Sequence, residues 1–261
     1  MLSKPSLLPQ ALCLSLALTV GGVQAQGAPM TDEAMSDIWG QGFFSLSNSS
    51  YDGLDFSRIT LNADIKLNMN LSDIRLGEYT RSVNNGTGAD IDISTLQFGR
   101  TDGTTAQRTV SVTNPYIEFV YANNADSSKR EVVGMRLGFG GISGDVGLKM
   151  NAVSGSLLID AGSSTVDSRN SANSGVRWDG TCATSACQVA LSQIGGVTAG
   201  NASGASRDFF ISVLKQAVNF QSGTTGLANP DTAQSGIWLN WRDRLTALNT
   251  TGTVPVNKAV K

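Results

Sequence analysis

From Ile59 to Leu71 every odd position is apolar and every even position is polar. Ile59, Leu61, Ala63, Ile65, Leu67, Met69 and Leu71 alternate with Thr60, Asn62, Asp64, Lys66, Asn68 and Asn70. A helix would scatter the apolar set around its circumference. An extended chain sends them all to one face, because successive side chains point to opposite sides of a strand. At about 3.3 Å per residue the run measures roughly 40 Å, about twice a usual strand. At Ser72-Asp73 the phase slips, and Ile74 and Leu76 continue on even positions. A one-residue slip turns every side chain to the other face, so a bulge or sharp bend is expected there.

A second alternating tract runs from Val133 to Met150. Val133, Met135, Leu137 and Phe139 alternate with Gly134, Arg136, Gly138 and Gly140, and after Gly141 the apolar set moves to Ile142, Val146, Leu148 and Met150. Asp90 to Phe98 and Arg108 to Tyr121 read as further strands. Asn84-Asn85-Gly86, Asp102-Gly103 and Asn123-Asn124 supply turn chemistry, since Asn and Gly tolerate positive φ. From about 162 to 207 the composition changes to Ser, Ala, Gly, Thr and Asn with few apolar anchors, which predicts a polar loop excursion. In 208–220, Phe210, Val213, Leu214, Ala217 and Val218 fit a helical stripe, although the segment is also rich in β-formers. Ile237 to Trp241 reads as a last apolar strand. Near the start, Thr31 to Trp39 predicts a short helix, with Asp32 and Glu33 in its first turn and Gly40 ending it. The expected class is mainly β: a long-stranded antiparallel sandwich or open barrel, a short N-terminal helix, and one candidate helix near 208–220.

Residues 1–25 carry Lys4, an apolar run from Ala11 to Val20, helix-breaking Gly21-Gly22, and Val23-Gln24-Ala25. That order is the order of a secretory signal peptide. The apolar run is half of the about 20 residues that span a bilayer. Residues 26–261 are then expected as a single β-rich domain outside the cytoplasm. Its charge balance, 18 basic (19 less Lys4) against 21 acidic residues, holds no basic cluster and implies no nucleic-acid partner.

The sequence contains no histidine. That removes Ser–His–Asp and Cys–His nucleophile systems and histidine-bearing zinc sites. The 17 Asp and 4 Glu are scattered outside any catalytic motif, so no catalytic residue and no cofactor is assigned. Beyond residue 25 the cysteines are Cys182 and Cys187, enclosing Ala-Thr-Ser-Ala. In an exported chain this pair reads as a local disulfide shaping a candidate binding loop with Arg177, Trp178 and Asp179 just upstream. Asp90 and Asp92, beside Asn84 and Asn85, form a candidate oxygen-ligand calcium site, against the plainer reading of an acidic hairpin facing water. Trp178, Trp238 and Trp241 read as core anchors more readily than as a lipid or glycan contact.

The segment Met30-Thr-Asp-Glu-Ala-Met-Ser-Asp-Ile-Trp-Gly-Gln-Gly resembles a motif that follows the signal peptide in a family of uncharacterised exported bacterial proteins labelled putative pilus-system proteins of the FilA type. The matching positions are Asp32 and Glu33, Met35, Ser36, Ile38 and Gly40-Gln41, and the resemblance extends over about residues 30–77. Trp39 departs from the pattern by its bulk. The resemblance implies a surface or pilus-associated role, with surface or pilus-assembly proteins as partners, and no known activity. Three functions therefore stand side by side: a non-catalytic structural or adhesive cell-surface protein, an outer-membrane β-barrel, and a periplasmic lipid-binding carrier.

Overall fold

The computed structural model describes residues 42–81, 86–182 and 188–258. The segment read as a signal peptide and the helix expected at 31–39 lie outside the described residues, as do Asn84, Asn85 and Cys187. The strands are β1 (Phe44–Tyr51), β2 (Leu54–Leu61), β3 (Asp64–Leu67), β4 (Met69–Arg81), β5 (Gly86–Phe98), β6 (Val110–Ala122), β7 (Glu131–Val153), β8 (Gly155–Asp160), β9 (Thr165–Asp167), β10 (Val197–Ala199), β11 (Phe210–Leu214), β12 (Gly236–Trp241) and β13 (Leu245–Ala247). The chain is mainly β, as its alternation implies.

The 13-residue alternation becomes three strands laid end to end. β2 and β3 both pair antiparallel with β6, and β4 pairs with β5. Asp73 takes a left-handed backbone, φ 54°, at the phase slip. Opposite it, the ladder between β5 and β7 shifts register around Ile93. The bend is thus shared by neighbouring strands, so the apolar faces stay aligned across it.

β7, 23 residues long, is the spine of the molecule. β6 and β5 line one of its edges in succession. Its first half also pairs with β11, and the stretch Gly144–Val146 pairs with β10. The pairings β7–β10–β13–β8–β12–β11–β7 close a six-stranded barrel, and the other strands lie outside it. β1, β2 and β6 extend from the first half of β7 as a wing, while β4 and β5 extend from its second half.

The principal core joins Ile91, Val110, Ile142, Val146, Leu157, Ile194, Val197, Leu239 and Trp241. A second cluster on the other face of the wing joins Phe56, Val120, Phe210, Val218, Phe220 and Trp238. Trp178, Trp238 and Trp241 are all buried, the fate expected of them. The excursion at 162–207 is less loop-like than its composition suggests: it contributes β9, β10 and buried Leu191 and Ile194.

The helix considered for 208–220 does not form; the segment supplies β11. Phe210, Ser212 and Leu214 are buried whereas Val213 is exposed, a period of two. β11 pairs on both edges, with β7 and β12. A helix here would leave two sheet edges without hydrogen-bond partners, a cost that outweighs a five-residue helical stripe.

Candidate binding pocket

The candidate binding loop is Arg177–Asp179. Arg177 has a left-handed backbone, φ 43°, and follows Ser174 and Gly175, also at positive φ. Trp178 exchanges both backbone hydrogen bonds with Val153, at 2.8 Å each, and its indole Nε1 donates to the Thr181 carbonyl at 2.6 Å. The ring anchors the loop to the core and is unavailable as a contact surface. Asp179 accepts from the backbone N–H and the hydroxyl of Thr181, and these bonds hold its carboxyl below the usual range. Arg177, Trp178, Asp179 and Cys182 together line an open depression of about 610 Å³ with Asp92 and Asn151. The loop is a braced corner of the structure.

Asp90 and Asp92 both lie on β5, yet their carboxylates serve different protein donors. The Asp90 carboxylate accepts from the Ile237 backbone N–H at 2.9 Å, tying β5 to β12. Gly77 and Gly236 leave room for it: a Cβ on either would sit 2.5 or 2.7 Å from Asp90 Oδ2. Asp92 accepts from Asn151 at 2.7 Å and pairs with Arg75 at 3.5 Å. Among the described residues no group of three or more His, Cys, Asp or Glu side chains could hold a metal. Of the candidate calcium site, the two described carboxylates, Asp90 and Asp92, each hold structural contacts of their own, and Asn84 and Asn85 lie outside the described residues.

A further polar cluster, with buried charges, lies on the wing. Ser47, Arg58, Glu118, Arg136, Ser212 and Trp238 pair in register across β1, β2, β6, β7, β11 and β12, forming one row on one face. Glu118 receives Arg58 Nε at 2.8 Å on one oxygen and Arg136 Nε at 2.5 Å on the other. Arg136 and Glu118 are buried, whereas the Arg58 side chain keeps a quarter of its surface exposed. Two guanidinium groups therefore share one carboxylate. Arg136 lies over Phe220 at 4.2 Å and Phe210 at 5.0 Å, and Arg58 lies over Tyr116 at 4.2 Å. These ring faces favour the cations by cation–π attraction. Gly138 makes room for Tyr116, whose hydroxyl would sit 2.5 Å from an added Cβ. Burial pushes the Tyr116 phenol pKa up, against the pull of Arg136 and Arg58.

Above this row is a pocket of about 270 Å³ lined by Ser47, Ser49, Tyr51, Phe56, Arg58, Glu118, Arg136, Gln221 and Gly223. The sequence holds a trace of it. Arg58, Glu118 and Arg136 all stand at even positions in alternating tracts, where they read as a solvated face. Only the register, which sets them directly opposite one another, reveals that they meet.

Neither a family model, nor a curated protein, nor a solved structure matches this chain.

Proposed function

We propose that this chain is an exported, non-catalytic cell-surface protein of structural or adhesive type, with pilus-like assembly partners that dock on its wing. One observation carries the reading. Leu46, Ile59, Ile117, Leu137, Ile211 and Leu239 pair in register across six strands, on the face opposite the arginine row. Leu239 is 4 % exposed, but Leu137, Ile59 and Leu46 are 51, 39 and 71 % exposed. The row runs out of the core onto a bare apolar surface that ends at β1. Among the described residues β1 pairs only with β2, so its outer edge presents unpaired N–H and C=O groups. An apolar face beside an open edge suits a partner that adds a strand there.

The signal peptide read at 1–25 supports export, and the motif at Asp32–Gln41 supports a pilus-associated setting. Export makes a Cys182–Cys187 disulfide the natural state of the pair. No helix among the described residues is long and apolar enough to cross a membrane. A membrane barrel turns apolar side chains outward to lipid, whereas the barrel residues Ile142, Val146, Val197 and Leu239 join one buried cluster. The apolar void between β5, β7, β11 and β12 measures about 50 Å³, room for a few methyl groups and not for an acyl chain.

Fractionation of the native cells tests the proposal. The expected result is a mature chain cleaved after Ala25, open to external protease and cross-linkable to a second protein through cysteine placed at Leu46. A heat-modifiable band retained in carbonate-washed outer membranes would replace the proposal with a membrane barrel. Co-purified lipid would replace it with a carrier.

A further inference from the structure

We infer that the pocket over the arginine row binds a small carboxylate ligand with a hydroxyl-bearing body, of the class of an acidic sugar. The inference is independent of where the chain is delivered. It begins with charge. Arg58 and Arg136 contribute two positive charges, Glu118 one negative charge, and no other Asp, Glu, Lys or Arg lines the pocket. The row is left with an excess of one positive charge in a half-buried place, where water screens it poorly.

Arg136 is engaged more deeply: its Nε holds Glu118, its Nη2 reaches the Gln221 carbonyl at 3.4 Å, and aromatic rings pack around it. Arg58 commits only Nε to Glu118, and its Nη1 and Nη2 donate to no protein acceptor among the described residues. Its Nη1 faces Gly223 across the pocket, 3.8 Å from where a Cβ would stand. A guanidinium with a free pair of donors in a fixed plane matches a carboxylate, which can accept two parallel bonds.

Ser47 and Ser49 follow one another on the same face of β1, because Ser47 pairs with Arg58 and Ser49 with Phe56. Neither hydroxyl takes part in a side-chain hydrogen bond among the described residues. The Tyr51 hydroxyl accepts from Asn229 at 3.3 Å and keeps its own proton to donate. Three hydroxyls and the Gln221 amide around one cation suit a ligand with several hydroxyls and one negative charge. A phosphate dianion suits the pocket less, because Glu118 faces the same space and repels a second charge. The volume, about 270 Å³, falls at the lower edge of ligand sites and limits the body to about one sugar ring.

The test uses the mature chain, with sodium glucuronate, glucose and inorganic phosphate as probes in isothermal titration calorimetry. Glucuronate is expected to bind measurably at millimolar concentration, and to bind tighter than phosphate, while glucose gives no heat. Arg58→Gln should weaken glucuronate binding roughly ten-fold or more, and the Ser47→Ala, Ser49→Ala double variant by several-fold. The serine variant and the shift of the Arg58 side-chain N–H resonances in the wild-type protein decide the matter if Arg58→Gln fails to fold. Absence of glucuronate binding, tighter binding of phosphate, or unchanged affinity in both variants would overturn the inference.

Discussion

The barrel and the wing are made of the same kind of strand, and even of the same row of residues, yet they treat apolar side chains differently. Leu239 and Leu46 occupy the two ends of one registered row. At the barrel end, β5 and the second half of β7 lie across the row and seal it. At the wing end nothing described covers it, and the reverse face carries the buried charges instead. Alternation therefore specifies that a strand has one apolar face. It does not specify that another layer will meet that face. Burial is a property of two surfaces, and the sequence pattern of a strand describes only one of them.

The sharpest way to break this comparison is to put the same charge at both ends. Val146→Asp places a carboxylate in the fully buried core and should leave no cooperative unfolding transition, since an unpaired buried charge costs far more than the roughly 5–15 kcal/mol that holds a domain together. Leu46→Asp, on the bare end, should stay within about 0.5 kcal/mol of wild type. Denaturant titration followed by circular dichroism separates the two. Equal damage at both would mean that the wing is covered by a layer of its own.

How far this was legible in the sequence follows from the same residues. The strand run at 59–71, the bend at Ser72–Asp73, the tract from Val133 and the burial of three tryptophans could be read because each depends on local period or side-chain size. The partnership of Arg58, Glu118 and Arg136 could not, because the bonded pairs are 60 and 18 positions apart and meet only through register. The helical stripe at 208–220 misleads for a related reason. A five-residue apolar run fits either period, and what decides is the presence of two open edges contributed by β7 and β12. Asp90 carries the same ambiguity: a backbone N–H that it accepts from is 147 positions away.

The wing has a cost of its own. Glu118→Gln removes the carboxylate that two arginines share and leaves Arg136 buried without a counter-charge, so it should cost about 3–5 kcal/mol in the same titration. Replacing Arg136 and Glu118 together, by Met and Leu, should recover most of that loss. If the single substitution costs less than 1 kcal/mol, water reaches the row and the wing is not a packed layer on that side. Next in size is the disulfide: Cys182→Ser with Cys187→Ser should lower stability by at most about 3 kcal/mol, because the closed loop is short. Ellman titration of the unfolded, unreduced chain should find no thiol from this pair.

The smallest expected effect concerns acid, where the two kinds of environment pull in opposite directions. Burial raises the Asp208 pKa, against the hydrogen bonds it accepts from the backbone of Asp243 and Arg242. Its folded form holds a proton that the unfolded chain has released, so this group makes stability fall as pH rises from its ordinary value of 3.8 through the raised one. Asp231 has the reverse shift. Arg169 grips it through two bonds and lowers its pKa, so its contribution is present above pH 3.8 and is lost as pH falls through the lowered value. The Arg169 side chain is 56 % exposed, and solvent screening keeps the Asp231 contribution small. Melting temperatures of wild type and Asp231→Asn, measured from pH 6 to pH 2, should differ at the upper end and converge at the lower. A gap that persists unchanged to pH 2 would show that Asp231 acts through its shape and its bond from Ser156, and that charge at this surface does not contribute.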